Sequence, residues 1–407
     1  MIWIDVIGLG ENGVTALDAG SLERIRNASL VIGAERMIHQ LPDLDGFKGK
    51  AMKWPQPFLD IIPLIEDHRG MPVVVMATGD PLWFGAASTL VRHFSPEEMR
   101  ITPAPSGFQL AASRLGWPLQ QVATVTVHGR PHETVLRHLS PGVKLLVLAH
   151  DRSSPVRIGA ILAWAGYGAA KITTLAHIGG AEESREEASA DHWASGQIIV
   201  PDFHVIAIEC PRRMDGFYPV VPGLPDAAFT SDGKLTKAEV RAATLAQLKP
   251  FRGGLLWDLG CGSGSIGIEW MRSAPEARAI GIDMRDDRLE VARGNAERLG
   301  VPEWQGISCQ LPSGLDDLPQ PDAVFIGGGL SRGLILAVLE RLPEAGRLVA
   351  NAVTLESEMV LLSSWQELGG EMSRISVSRM EAVGRLHGWR PLMPVTQWAL
   401  SKGEGKP

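Results

Sequence analysis

Cysteine is nearly missing from this chain, with three residues, Cys210, Cys261 and Cys309, in 407. An odd, scattered set without C-x-x-C spacing excludes a disulfide framework and a structural zinc site, and fits a reducing cytosol. No apolar run is long enough to span a bilayer, and Met1 to Gly10 lacks the basic start and small-residue cleavage site of a signal peptide. A soluble, cytoplasmic protein with no membrane partner is expected. Basic surplus is lacking too: 39 Lys and Arg stand against 46 Asp and Glu, a net charge of −7. Holding a phosphate backbone needs the opposite balance, so no nucleic-acid partner is expected. Neither H-E-x-x-H nor a Cys/His cluster occurs, so no metal is predicted, and no internal repeat is visible.

What is present is length, an apolar core and glycine in telling places. A chain of 407 residues, 45% of them apolar, exceeds what one core organises and supports two domains. Val6-Ile7-Gly8-Leu9-Gly10 and Asp258-Leu259-Gly260-Cys261-Gly262-Ser263-Gly264 each close a candidate buried strand. A strand that ends in glycines lets backbone approach a ligand closely, and two such places imply two reaction centres. Between and around them, apolar strand candidates alternate with helical periods, as α/β folds require. The prolines and glycines from Cys210 to Pro225 interrupt the pattern. The division is therefore 1–208, a linker over 209–229, and 230–407. Gly384 to Pro394 is read as a loop before a last strand, and Glu182 to Glu187 as a solvated helix face.

The second loop has the fuller context: strand, glycines, helix, strand, then Asp283 at a strand end. A carboxylate about 20 residues beyond such a loop can accept hydrogen bonds from ribose hydroxyls, which suits both NAD and S-adenosylmethionine. In the dinucleotide fingerprint G-x-G-x-x-G the helix N-terminus faces a pyrophosphate. Here the third glycine comes one residue earlier and an acid, Asp258, opens the motif. That acid repels pyrophosphate and suits a cationic sulfonium. Trp257 and Trp270, flanking the loop, occupy packing positions, and Cys261 contributes backbone rather than a nucleophilic thiol.

Residues 230–407 resemble the class I S-adenosylmethionine methyltransferases, and more narrowly the cobalamin-pathway decarboxylating methyltransferase domain. The resemblance lies in Leu235-Thr236-Lys237-Ala238-Glu239-Val240-Arg241, the Gly260 to Gly264 loop with Glu269, and Asp322-Ala323-Val324-Phe325-Ile326-Gly327-Gly328-Gly329. It implies a Rossmann-like fold whose cofactor site is lined by Thr236, Asp258, Gly260, Cys261, Gly262, Ser263, Gly264, Asp283 and Leu311. Gln310 and Leu311 depart from the Asp and Ala of the family's Asp-Ala-Pro segment. Residues 1–208 resemble the tetrapyrrole methylases, through Ile7-Gly8-Leu9-Gly10, Gly79-Asp80-Pro81-Leu82-Trp83-Phe84-Gly85, Pro105-Ser106-Gly107-Phe108-Gln109 and His128-Gly129-Arg130. That resemblance implies a two-lobed (class III) α/β fold with Gly8, Gly10, Gly79, Asp80 and Pro81 at the cofactor. Gly10-Glu11-Asn12-Gly13 departs from the wider family's Gly-Pro-Gly.

Together the resemblances imply an S-adenosylmethionine-dependent C-methyltransferase with decarboxylase activity, one cofactor per domain, acting on a precorrin in cobalamin synthesis. The expected events are methylation at C5 and C15 and loss of the ring C acetate carboxyl. A homo-oligomer is expected. The sulfonium is already electrophilic and the macrocycle already nucleophilic, so positioning with water excluded should dominate. Substrate carboxylates need arginines. Arg130 and Arg241, which lie in the resembling motifs, are the expected catalytic-site anchors, with Arg332 and Arg385 further candidates. The alternatives are an RNA methyltransferase, against which the acidic balance weighs, and a non-catalytic S-adenosylmethionine sensor.

Overall fold

The computed structural model describes residues 1–42, 44–212 and 217–403. The chain divides into two compact units, one formed by Met1–His132 with Pro141–Asp215, the other by Glu133–Ser140 with Gly216–Pro407. Among the described residues no helix is long and apolar enough to cross a membrane, and no three His, Cys, Asp or Glu side chains gather as a metal site.

The first unit holds two sheets. In one, five strands run in the order Lys50–Lys53, Leu30–Gly33, Val73–Thr78, Ile4–Leu9, Met99–Thr102, all parallel. Its central strands are continuous apolar runs because parallel strands are covered on both faces. The other sheet is ordered Ala123–Thr126, Lys144–Leu148, His204–Glu209, Lys171–Ala176, Ser184–Ser189 and is antiparallel except for its first pair. Its last strand corrects the reading of Glu182 to Glu187 as a helix face. Ser184–Ser189 is exposed and mostly polar, so it carries no strand period, yet its backbone pairs with Lys171–Ala176.

The second unit is built on a seven-stranded sheet in the order Gln305–Ser308, Arg278–Asp283, Leu255–Leu259, Ala323–Ile326, Arg347–Ala352, Val395–Ser401, Glu371–Ile375. The first five are parallel and the last two pairings antiparallel. This is a doubly wound class I arrangement, with the order reversing beside the central strand Leu255–Leu259, where open α/β sheets bind ligands. Trp257 and Trp270 are fully buried there, as packing residues.

Two expectations change. The expected linker 209–229, of which residues 213–216 lie outside the described residues, is packed at its far end, where Leu224, Ala228 and Phe229 join the core of the second unit. Arg272 donates to the carbonyls of Tyr218 and Pro219, and Glu269 accepts the N–H groups of Gly223 and Leu224, which ties this segment to the helix Ser265–Ser273. Gly384 to Pro394 is not simply a loop either: Ser378–Val383 and Leu386–Pro391 form an antiparallel hairpin turning at Gly384, whose φ of 63° suits a tight turn.

Candidate functional site

In the second unit the cradle forms where Leu255–Leu259 ends. Gly260, Gly262 and Gly264 all have positive φ, at 71°, 54° and 76°. Their reasons differ. A Cβ on Gly260 would lie 2.6 Å from the backbone nitrogen of Gly328, so the glycine loop and the Gly327-Gly328-Gly329 segment touch backbone to backbone. A Cβ on Gly262 would meet nothing within 4 Å, which marks the open side of the loop. Leu311 approaches the Gly327-Gly328-Gly329 segment, 3.9 Å from a Cβ built on Gly329.

The loop's own N–H groups are mostly spent. Gly260 and Cys261 donate to the carbonyl of Ile282, Gly264 donates to Cys261, and Gly262 donates to Asp283 Oδ2 at 3.0 Å. Of the five residues Gly260 to Gly264, only Ser263 has an N–H without a partner among the described residues, so the loop offers no nest of donors to a pyrophosphate. Asp283 ends its strand facing the loop, with Oδ1 accepting the N–H of Arg285 at 3.1 Å. Asn295, fully buried, holds the Ser263 carbonyl at 2.9 Å and pairs with both backbone groups of Thr230. Thr236 is half-buried, and its carbonyl accepts from Arg241. Space over Gly262, a carboxylate at the adjacent strand end and an apolar wall at Leu311 fit an adenosyl sulfonium.

Asp258 lies elsewhere than expected. It is 1% exposed and turned into the protein, where Oδ2 accepts the Gly267 N–H at 2.9 Å and buried Oδ1 has no partner among the described residues. It therefore pins the helix Ser265–Ser273 beneath the loop instead of lining the open side. Burial lifts its carboxyl from 3.8 to about 7, with Gly267 opposing and Asp283 adding to the rise. The fold thus keeps a proton that the unfolded chain releases. The stability this carboxyl contributes is fully present below about pH 4 and lost as pH climbs through 7, by at most roughly 4 kcal/mol. Asp258→Asn, which keeps an acceptor for Gly267, should flatten the dependence of melting temperature on pH between 4 and 8; equal slopes in both proteins would sink this. Cys261 is likewise buried, and burial, then Asp258 and Asp283, push its thiol well above the ordinary range, so it stays protonated.

Arg241 requires a correction. Its side chain is fully enclosed, with Nε 2.8 Å from Glu269 Oε1 and Nη1 2.9 Å from Asp226 Oδ1, and further bonds to the carbonyls of Thr236 and Leu224. With four of its five donors used inside the protein, it positions the segment around Thr236 and cannot reach out as a substrate anchor. Its partners, Asp226 in the supposed linker and Glu269 on the glycine-loop helix, hold the same knot; Glu269 also accepts the N–H groups of Gly223 and Leu224. Arg332 is exposed and paired with Glu367, and Arg385 is exposed at the hairpin turn.

In the first unit the expected motifs converge. A Cβ on Gly8 would strike the Gly79 carbonyl and lie 2.7 Å from the Ala104 nitrogen, while one on Gly79 would lie 2.9 Å from Ser106 Cα. Gly79, at φ 66°, also donates its N–H to Leu9 at 2.7 Å. Ser106 and Gln109 form a capping box that starts the helix Gly107–Leu115, which explains that motif's spacing. Asp80 Oδ1 accepts the Leu82 N–H at 2.9 Å and so shapes the turn that carries Pro81. Gly10 faces open space. Arg130 is exposed, its guanidinium 5.9 Å from the ring of Phe84 in the Gly79 to Gly85 loop. Sequence reasoning missed Glu11, Arg36 and His177, which meet beside Gly10. The only sequence signal was Glu11 itself, standing where a proline is usual.

Residues 6–188 match the family described as Tetrapyrrole (Corrin/Porphyrin) Methylases, and residues 227–402 the Precorrin methyltransferase domain. Over 98% of its length and 97% of the relative's, the chain is 43% identical to a Sinorhizobium sp. protein named Precorrin-6Y C(5,15)-methyltransferase (decarboxylating). A shorter Pyrobaculum calidifontis relative, named Probable cobalt-precorrin-6B C(15)-methyltransferase (decarboxylating), is 37% identical across 43% of this chain and 93% of its own. The solved C-terminal domain of precorrin-6Y C5,15-methyltransferase from Rhodobacter capsulatus is 44% identical, covering 46% of this chain and all of that one, at a TM-score of 0.44.

Proposed function

The chain belongs to the precorrin-6Y C(5,15)-methyltransferase (decarboxylating) family, and on that premise we propose that its work is divided between two separate cradles. The N-terminal unit methylates C5. The C-terminal unit methylates C15 and releases carbon dioxide from the ring C acetate. Each binds its own S-adenosylmethionine, which supplies an electrophilic methyl group.

The observation that carries this reading is the pair of independent glycine cradles, one around Gly8, Gly10 and Gly79, the other around Gly260, Gly262 and Asp283. The half-length relative supports the division, because its name joins C15 methylation to decarboxylation in a protein that one unit would match in size. The residues present hold and orient. Loss of carbon dioxide draws on the macrocycle's conjugated imines as the electron sink, so the protein's contribution is alignment with water excluded. Exposed Arg130, its guanidinium 5.9 Å from the Phe84 ring, suits a carboxylate of a flat macrocycle, since a guanidinium binds carboxylate bidentately.

Titration calorimetry with S-adenosylmethionine should give two molecules per chain. Mass spectrometry after incubation with precorrin-6Y should show two methyl groups gained and one carbon dioxide lost. A stoichiometry of one would overturn the two-cradle reading, and binding without turnover would make the protein a sensor.

A further inference from the structure

A cluster of titratable side chains stands against the N-terminal cradle. Glu11 follows Gly10 directly. Its Oε1 lies 2.7 Å from Nδ1 of His177, and its Oε2 lies 2.5 Å from Nη1 of Arg36. Arg36 also donates from Nη2 to Thr78 Oγ1 at 3.0 Å, the residue before Gly79, and its guanidinium sits 4.0 Å over the ring of Phe203. Burial alone would raise the Glu11 carboxyl, but the hydrogen bonds and charges of His177 and Arg36 outweigh it and hold the group below its ordinary range. The pair thus meets as a carboxylate and an imidazole N–H.

His177 is placed there at a conformational cost. It follows the strand Lys171–Ala176 with φ 48°, a left-handed backbone that non-glycine residues adopt uncommonly. Backbone bonds hold it, from its own N–H to Phe203 at 3.2 Å and from Gly180 to its carbonyl at 2.9 Å. With Nδ1 donating to Glu11, the neutral ring is the tautomer whose Nε2 carries a lone pair. Nε2 has no hydrogen-bond partner among the described residues, and the side chain is 22% exposed. An imidazole with a free Nε2, oriented by a carboxylate that itself adjoins Gly10, has the build of a base.

We propose that His177 accepts the proton released in the N-terminal methyl transfer and that Glu11 is the positioning residue that fixes its tautomer. This rests on the reading that the N-terminal unit methylates C5. An electron pair of the macrocycle carbon forms the new C–CH3 bond while the S–CH3 bond breaks, its electrons remaining on sulfur. The positive charge left on the conjugated macrocycle is discharged when an N–H proton passes to Nε2, and the resulting imidazolium is held by the Glu11 carboxylate.

The test uses the full-length protein with His177→Ala and Glu11→Gln. His177→Ala should slow C5 methylation about 10²-fold, the usual worth of a general base, leaving C15 methylation and the affinity of both sites for S-adenosylmethionine unchanged. Added imidazole should restore part of the lost rate in that variant. Nitrogen NMR of the ligand-free protein should show His177 as the Nδ1–H tautomer, and Glu11→Gln should erase that preference and slow C5 methylation by less than the alanine does. Absence of imidazole rescue, or a rate loss matched by lost cofactor binding and lower melting temperature, would make the pair a structural clasp and overturn the inference. A wild type that forms no C5-methylated product defeats the functional reading; a wrong tautomer defeats the dyad by itself.

Discussion

Replacing Gly262 by arginine should abolish C15 methylation and decarboxylation together while C5 methylation continues. The position is chosen because a side chain there enters open space, with nothing within 4 Å of its Cβ. An arginine would fill the volume that the adenosyl group needs and add a cation where a sulfonium must sit. The expected loss is at least roughly 10³-fold in turnover at the C-terminal cradle, equivalent to about 4 kcal/mol of forfeited binding. Folding should suffer far less, since a φ of 54° costs a non-glycine residue only about 1–2 kcal/mol. Gly260→Ala provides the contrast. Its Cβ would press on the backbone of Gly328, so that variant should lose stability along with activity. Mass spectrometry of the product, read beside the melting curves, separates the cases. Continued release of carbon dioxide by Gly262→Arg would contradict the assignment of that step to the C-terminal unit.

The largest effect on stability is expected at Arg241. Arg241→Met leaves Glu269, 1% exposed, as a buried carboxylate without its cation, and removing one partner of a buried pair costs about 3–5 kcal/mol. For a unit of this size that corresponds to a fall of roughly 10 °C in melting temperature. The double variant Arg241→Met with Glu269→Gln should recover much of the loss. It removes the stranded charge while a glutamine oxygen can still accept the N–H groups of Gly223 and Leu224. Asp226 should tolerate the change better, because Arg379 also holds it, with Nη1 2.8 Å from Oδ2. Calorimetric melting of the three proteins decides the matter. An unchanged melting temperature with a raised KM for the precorrin would instead return Arg241 to the role of substrate anchor.

Arg241 also shows where reading the chain by residue type stopped short. Its motif is legible in the sequence, but an arginine's charge says nothing about whether its carboxylate partner belongs to the substrate or to the protein. The answer lay in Asp226 and Glu269, 15 and 28 residues away. Asp258 repeats the lesson: its place in the motif was legible, but whether it faced the ligand or the Gly267 N–H depended on how the following helix packed. The edge strand Ser184–Ser189 and the hairpin around Gly384 eluded the pattern for a simpler reason. Both are exposed, so no buried face imposes a period of two on their side chains.

The sequence by itself determined the two glycine cradles and the succession of buried strands that present them. Those features are local: the left-handed turns at Gly79, Gly260, Gly262 and Gly264 favour glycine, and a strand covered on both faces favours an unbroken apolar run. Only the tertiary structure decided which charged groups were turned inward and which were left to act. Glu11 and His177 stand 166 residues apart, and nothing in either neighbourhood specifies the other. Their meeting follows from the packing of the two sheets of the first unit, because an ion pair's strength depends on distance and burial, which the order of residues does not carry.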